Sequence, residues 1–192
     1  HKTIIKKYVK FNKHLIKESN KFIKKNFSKR KILGVHFRGT DQKTQERHPF
    51  PATIKQIESN ILALFKLKKF DKFFLVTEEK KYLDYFKKNM KDKILHFDSF
   101  VSNQTNIFDD NSRALHRYNI GKENIINMIC LSKTNHILSV SSNLADASIF
   151  FNNKKIPVTK INNGLNSNNI FIAQILWYLK KILPSFLGGF KI

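Results

Sequence analysis

The sequence predicts an α/β protein in which a parallel sheet is covered by helices on both faces. Three observations carry that expectation. Apolar runs at Ile32–Phe37 (ILGVHF), Lys72–Thr77 (KFFLVT) and residues 136–140 (HILSV) are short and nearly continuous, as strands buried on both faces are. Segments with helical period stand between them, which implies right-handed crossovers rather than hairpins. Finally, 192 residues at 41% hydrophobic and 12% aromatic supply a core for one large domain or two small ones.

Taken in order, residues 3–27 place Ile4, Ile5, Tyr8, Leu15, Ile16, Phe22 and Ile23 roughly every three to four positions between lysines, an amphipathic helix. Such a basic helix packs on a sheet or lies on a membrane, the first being the commoner fate. The buried strand Ile32–Phe37 runs into a polar segment, 38–51. Residues 52–67 are helical in period, Lys72–Thr77 is a strand, 79–90 a helix, 93–97 (KILHF) a strand and 99–112 a polar loop. A helix is expected over 122–132, a strand over 136–140, a helix over Asn143–Phe151 and a last strand over 156–161. Residues 162–169 (NNGLNSNN) read as a loop or linker, and 170–183 as a helix stopped at Pro184. The expected division is 1–30 as an N-terminal helix or connection, 31–161 as a ligand-binding domain, and 162–192 as a loop with a terminal helix.

The chain carries 36 Lys plus Arg against 14 Asp plus Glu, a formal charge of +22. That charge invites a polyanion, an anionic membrane or a phosphorylated ligand. Yet 31 of the cations are Lys and only 5 are Arg, alongside 20 Asn, so coding bias explains much of the charge. Nucleic acid is disfavoured, because Arg makes the bidentate base contacts and the lysines are scattered over every helix. A membrane-surface role for residues 170–183 stays open. The single Cys130 excludes an intramolecular disulfide framework and points to a reducing compartment, so the expected location is the cytoplasm, with peripheral contact at the inner membrane as an option. The start His1-Lys2-Thr3 lacks an initiator Met and suggests a fragment.

In open α/β sheets ligands sit beyond the carboxyl ends of the strands. Residues 36–41 put an imidazole, a guanidinium, a hydroxyl and a carboxylate at one such end: His36, Arg38, Thr40 and Asp41. With Val35 and Phe37 on one face, His36 and Arg38 share the other. Arg38 can form two charge-assisted bonds to phosphate oxygens, His36 can donate another, and Asp41 can hold either cation or accept from a sugar hydroxyl. A structural Arg–Asp pair closing the loop accounts for the same spacing. Ser141 and Ser142 follow a second strand and open a helix whose N–H groups favour an anion, or simply cap it. Glu78 and Glu79 end a third strand, set to bind a ribose or guanine edge or to oppose the helix dipole. No G-x-G-x-x-G or Walker A loop is present, no G-x-S-x-G elbow, and no His or carboxylate cluster with metal-ligand spacing, so no metal is expected.

Together these segments resemble the fucosyltransferase superfamily: the α1,6- and nodulation fucosyltransferases and, more distantly, the α1,2- and protein O-fucosyltransferases. Gly34-Val35-His36-Phe37-Arg38-Gly39-Thr40-Asp41 is similar to the family's G-V-H-x-R-R-T-D, with His48-Pro49 following. Phe74-Leu75-Val76-Thr77-Glu78-Glu79 is similar to its strand ending in Thr and two acids. The run from Asn124 through Cys130-Leu131-Ser132 to Ser139-Val140-Ser141-Ser142-Asn143-Leu144 is similar to its helix, strand and Ser-Ser block. The resemblance implies the carboxyl-terminal, Rossmann-like half of a GT-B glycosyltransferase, which transfers fucose from GDP-fucose to a glycan hydroxyl by inverting displacement, without a metal or other cofactor. By resemblance, Arg38 and His36 hold the departing diphosphate, Ser142 with Ser141 beside it contacts the diphosphate, and Thr40 and Asp41 complete the motif. Glu78 is a candidate for the nucleoside, Asn127 belongs to the donor-binding set, and Glu46, five residues after Asp41, is the base. The implied partners are a GDP-sugar, a glycan or lipid-linked glycan acceptor, and an N-terminal acceptor domain. Three positions depart from the pattern: Gly39 replaces a second Arg, Gln42 a Lys that partners the base, and Asn127 an Asp.

Overall fold

The computed structural model describes residues 7–39, 41–103, 107–109, 112–152 and 155–191. Its strands are β1 (Ile32–Phe37), β2 (Lys72–Thr77), β3 (Ile94–Leu95), β4 (His136–Ser139) and β5 (Val158–Lys160), all parallel in one sheet of order β3-β2-β1-β4-β5. Its helices are α1 (Lys13–Asn26), α2 (Ile54–Lys68), α3 (Lys80–Asn89), α4 (His116–Leu131), α5 (Asn143–Phe151) and α6 (Ile170–Ile182). The expected Rossmann-like class is present.

Every residue of β1 is buried because the strand is central and both faces are covered. Leu33, Val35 and Phe37 point into a core built with Ile57 and Ile61 of α2 and Tyr82, Leu83 and Phe86 of α3. On the other face Ile32 joins Phe74 and Val76 of β2, Leu15 of α1, and Ile126, Cys130 and Leu131 of α4. Burial raises the Cys130 thiol to about 12, so it behaves as a small hydrophobe. Gly34 faces the end of α4, where an added Cβ would stand 2.7 Å from Thr134 Oγ1 and 3.0 Å from Leu131 Cδ2. That close approach is why a glycine interrupts an otherwise bulky strand.

Several elements differ from the sequence expectation in length. The helix Lys13–Asn26 begins where the Asn12 side chain accepts from His14 N and caps it, which separates it from helical residues 7 and 8; residues 1–6 lie outside the described residues. Helix α4 starts at His116 rather than 122, behind Leu115 in the left-handed conformation (φ 50°). Strands β3 and β5 shrink to two and three residues at the sheet edges, where one neighbour suffices. Residues 162–169 are pinned to the 41–51 loop: Phe50 N donates to Gly164 O (2.9 Å), Asn166 N to His48 O (2.8 Å), and the Asn166 amide to the Gln45 and Ala173 carbonyls. Among the described residues no helix is long and apolar enough to cross a membrane.

Two buried imidazoles, His36 in β1 and His136 in β4, make the fold acid-sensitive. Burial pushes each down to about 4, with Arg38 and Lys68 respectively adding repulsion; Asp146 partly opposes the shift at His36. Unfolded imidazoles titrate near 6.5, so between these values the unfolded state binds more protons. Stability is therefore complete above the unfolded value and falls as pH drops toward 4, by up to roughly 3 kcal/mol per histidine. Urea midpoints should be flat above neutrality and decline steadily below pH ~6; a midpoint unchanged down to pH ~5 would contradict this burial.

Candidate functional site

Strand order reverses between β1 and β4, and the two helices that follow β1 and β4 lie on opposite faces of the sheet. At such a switch point the loops diverge and leave a crevice. His36 pairs in register with Ser139 there, and Phe37 with Thr77 of β2, so the ends of three strands converge. A cavity of about 350 Å³ opens at this place, lined by His36, Arg38, Glu78, Asn124, Ser142 and neighbouring residues of α4 and α5.

Arg38 leaves the end of β1 on the His36 side, as strand alternation requires. Its Nε lies 3.5 Å from Glu78 Oε2, an ion pair whose side chains are 30% and 16% exposed. Glu78 thus lines the cavity while setting the guanidinium at its wall. His36 is buried and neutral at pH 7, and its Nδ1 has no hydrogen-bond partner among the described residues. The same holds for Ser139 Oγ and for Asn127 Oδ1, whose amide donates to Ser99 Oγ (3.2 Å). Of these three residues, His36 lines the cavity and Asn127 its narrow extension.

Ser142 stands at the N-cap of α5 yet makes no side-chain cap bond, so its hydroxyl faces the cavity instead of closing the helix. Ser141 is exposed and is not among the lining residues. A narrow extension of the crevice runs between Glu78, Phe100, Glu123 and Asn127. Ser99, Phe100 and Ile107 wall it, and Arg113 nearby donates through both nitrogens of its fork to Glu123 (2.5 and 3.0 Å). Arg113 Nε also donates to His116 Nδ1 (3.0 Å), which leaves His116 Nε2 to donate to Ile107 O (2.7 Å).

The structure brings His36, Arg38, Glu78 and Ser142 to one cavity and Asn127 to its extension. Glu46 is not brought there: it is exposed in a turn of the 41–51 loop and lines none of these walls. Thr40 and the side chain of Asp41 lie outside the described residues.

Behind the cavity lies a buried ion pair that no local pattern of residues announces. Lys43 Nζ donates to both oxygens of Glu79 (2.8 and 2.7 Å), each side chain about nineteen-twentieths buried at 5% and 6% exposure. The amine is bracketed by the Tyr82 and Trp177 rings at 5.1 and 5.2 Å, and Trp177 Nε1 donates to Pro51 O (2.9 Å). Burial holds the Lys43 amine below its ordinary value against the opposing pull of Glu79. Gly39 closes over this pair, since a Cβ there would stand 2.7 Å from Glu79 Oε1. Gln42 is buried beside it, its Oε1 without a partner among the described residues.

Lys43 lies against Gly39, its Cε 3.4 Å from where a Cβ would stand, but its amine is committed to Glu79. Gly39→Arg should lower stability by about 1–3 kcal/mol through overpacking on the Glu79 carboxylate, without tightening binding of a diphosphate. A stable, tighter-binding Gly39→Arg protein in thermal melts and nucleotide titration would contradict this geometry.

No protein-family model matches the chain, and no curated protein sequence does. Solved structures do match. NodZ α-1,6-fucosyltransferase co-crystallised with GDP superposes with a TM-score of 0.56 at 16% identity, over 85% of this chain and 50% of that one. Fucosyltransferase NodZ from Bradyrhizobium gives 0.53 at 15%, over 87% and 51%. POFUT1 in complex with GDP-fucose gives 0.51 at 12%, over 82% and 48%. The chain spans about half the length of each of these structures, and over that span it has a fucosyltransferase-like fold.

Proposed function

We propose that this chain is the donor-binding half of a glycosyltransferase that moves fucose from GDP-fucose to a glycan hydroxyl with inversion and without a metal. The observation that carries the reading is the crevice at the β1/β4 switch point, where a guanidinium, a buried neutral imidazole with an unpartnered Nδ1 and a helix N-terminus with an uncommitted Ser142 hydroxyl converge. Those groups suit a diphosphate. Arg38 offers the charge, His36 one N–H, and α5 its first-turn amides and the positive end of its dipole.

In the proposed displacement, charge grows on the diphosphate as the glycosidic bond breaks, and Arg38 stabilises it where water is partly excluded. Glu78 keeps the guanidinium in place, and the nucleoside lies along the Glu78 and Asn124 side of the open crevice, since the extension toward Phe100, at about 20 Å³, is too small to admit a base. A carboxylate must take the acceptor proton. Glu46 fills that role only with the acceptor-side half in place, because by itself the loop holds it in solvent. The neighbours in complex with GDP or GDP-fucose support this choice of donor. The acceptor, and the N-terminal domain that presents it, form part of the proposal.

Calorimetric titration of the chain with GDP and UDP, at a salt concentration that screens its diffuse charge, tests the reading. Saturable binding of GDP in preference to UDP is the expected result; equal, weak binding of both would sink it.

A further inference from the structure

A second cavity, of about 790 Å³, shares no lining residue with the donor crevice. Glu78 lines the donor side, whereas the groups around Glu79, namely Tyr82 and Lys81, line this one. Its floor is aromatic and buried: Tyr82, Trp177 and Phe190 are at most 8% exposed. Its rim carries Lys55, Lys81 and Lys181, and among the described residues no acid lines it, the nearest partner being Glu79, 3.5 Å behind the Lys81 amine. The first turns of α2 and α3 open onto it, adding the positive ends of two helices.

The wall made by the end of α6 is apolar and open. Ile182 is 80% exposed and Leu183 40%, and beyond Pro184 a short turn presents Phe186 at 84% and Leu187 at 59%. A monomer rarely leaves such side chains contiguous and bare. An apolar protein partner would gain nothing from three lysines and would desolvate them at a cost. An amphiphile with an anionic head satisfies both halves of the surface: head on the lysines, tail beside Ile182 and Phe186. Helix α6 is not long enough to cross a bilayer, so any contact it makes with one is along the surface.

We propose that this cavity and the adjoining end of α6 form a membrane-docking site for an anionic phospholipid. Lys55, Lys81 and Lys181 hold the phosphate, and Ile182, Leu183, Phe186 and Leu187 enter the acyl layer. The site does not depend on the donor reading and stands or falls on lipid binding alone.

Trp177, the chain's only tryptophan, sits in the cavity floor and serves as the reporter. The chain is titrated with phosphatidylcholine vesicles, with and without phosphatidylglycerol, whose acyl chains carry bromine as a quencher. Co-sedimentation with the anionic vesicles and quenching of Trp177 are expected. Lys55→Gln/Lys81→Gln/Lys181→Gln should weaken binding by roughly a hundredfold, whereas Lys17→Gln/Lys21→Gln/Lys24→Gln, which removes equal charge from α1, should change it little. Phe186→Asp, at a side chain too exposed to affect folding, should abolish quenching. Equal losses in the two triple variants would reduce the effect to diffuse attraction and overturn the site. Vesicle binding without quenching would overturn it too, as would self-association through α6 with no affinity for vesicles.

Discussion

Arg38→Ala is expected to weaken GDP binding by at least about a hundredfold while leaving the melting temperature within a few degrees. Two charge-assisted bonds from one guanidinium contribute about 1.5–3 kcal/mol each. The structural loss is small because the Arg38–Glu78 pair is partly solvated at 3.5 Å, and pairs of that kind contribute about 1 kcal/mol or less. Removing the cation also leaves the Glu78 carboxylate facing the diphosphate, which adds repulsion to the lost attraction. Arg38→Lys should recover only part of the affinity, since a point charge replaces a planar fork. Calorimetry and thermal melts of both variants check this; GDP affinity unchanged in Arg38→Ala would remove Arg38 from the site.

Lys43→Met should be the most destabilising single change proposed, and for a different reason. It leaves the Glu79 carboxylate buried with only the Tyr82 hydroxyl and the more distant Lys81 amine (3.5 Å) to compensate. Breaking a buried pair from one side costs about 3–5 kcal/mol, on the order of 10 °C for a chain of this length. Lys43→Met/Glu79→Gln should restore most of that loss, because neither charge is then left buried alone. Thermal melts of the single and double variants form the cycle. A double variant no more stable than Lys43→Met would show that the rings and carbonyls around the pair, rather than its charges, hold this corner together.

The difference between those two residues also explains how much of the molecule was legible in the sequence. Arg38, His36, Glu78 and Ser142 sit at strand ends and a helix start, where an apolar run gives way to polar residues; once the parallel order is inferred, topology alone brings them together. The central strands were equally legible, since burial on both faces leaves a continuous apolar run. Lys43 and Glu79 were not. They lie on two loops 36 residues apart, and one lysine among 31 carries no mark of being buried.

The start of α4 was missed for a similar reason. His116–Gly121 lacks a clear apolar stripe, and the turn before it is held by Arg113 on Glu123, a contact between side chains ten positions apart. Glu46 shows the converse limit: the family resemblance singled it out, but the loop that carries it turns outward and is fixed there by residues 164–167. The 162–169 segment looked like a linker because Asn and Gly favour loops. The buried Asn166 amide, bridging the 41–51 loop and α6, makes it part of the structure.

With a nucleoside diphosphate at the β1/β4 switch point, as proposed, titration of the isotopically labelled chain with GDP, followed by amide chemical shifts, should give saturable shifts at the end of β1 around Arg38, at Glu78 and over the first turn of α5 from Ser142, with α6 and the turn after it unmoved. Shifts confined to α6, or spread evenly over the lysine-rich surfaces, would contradict that placement.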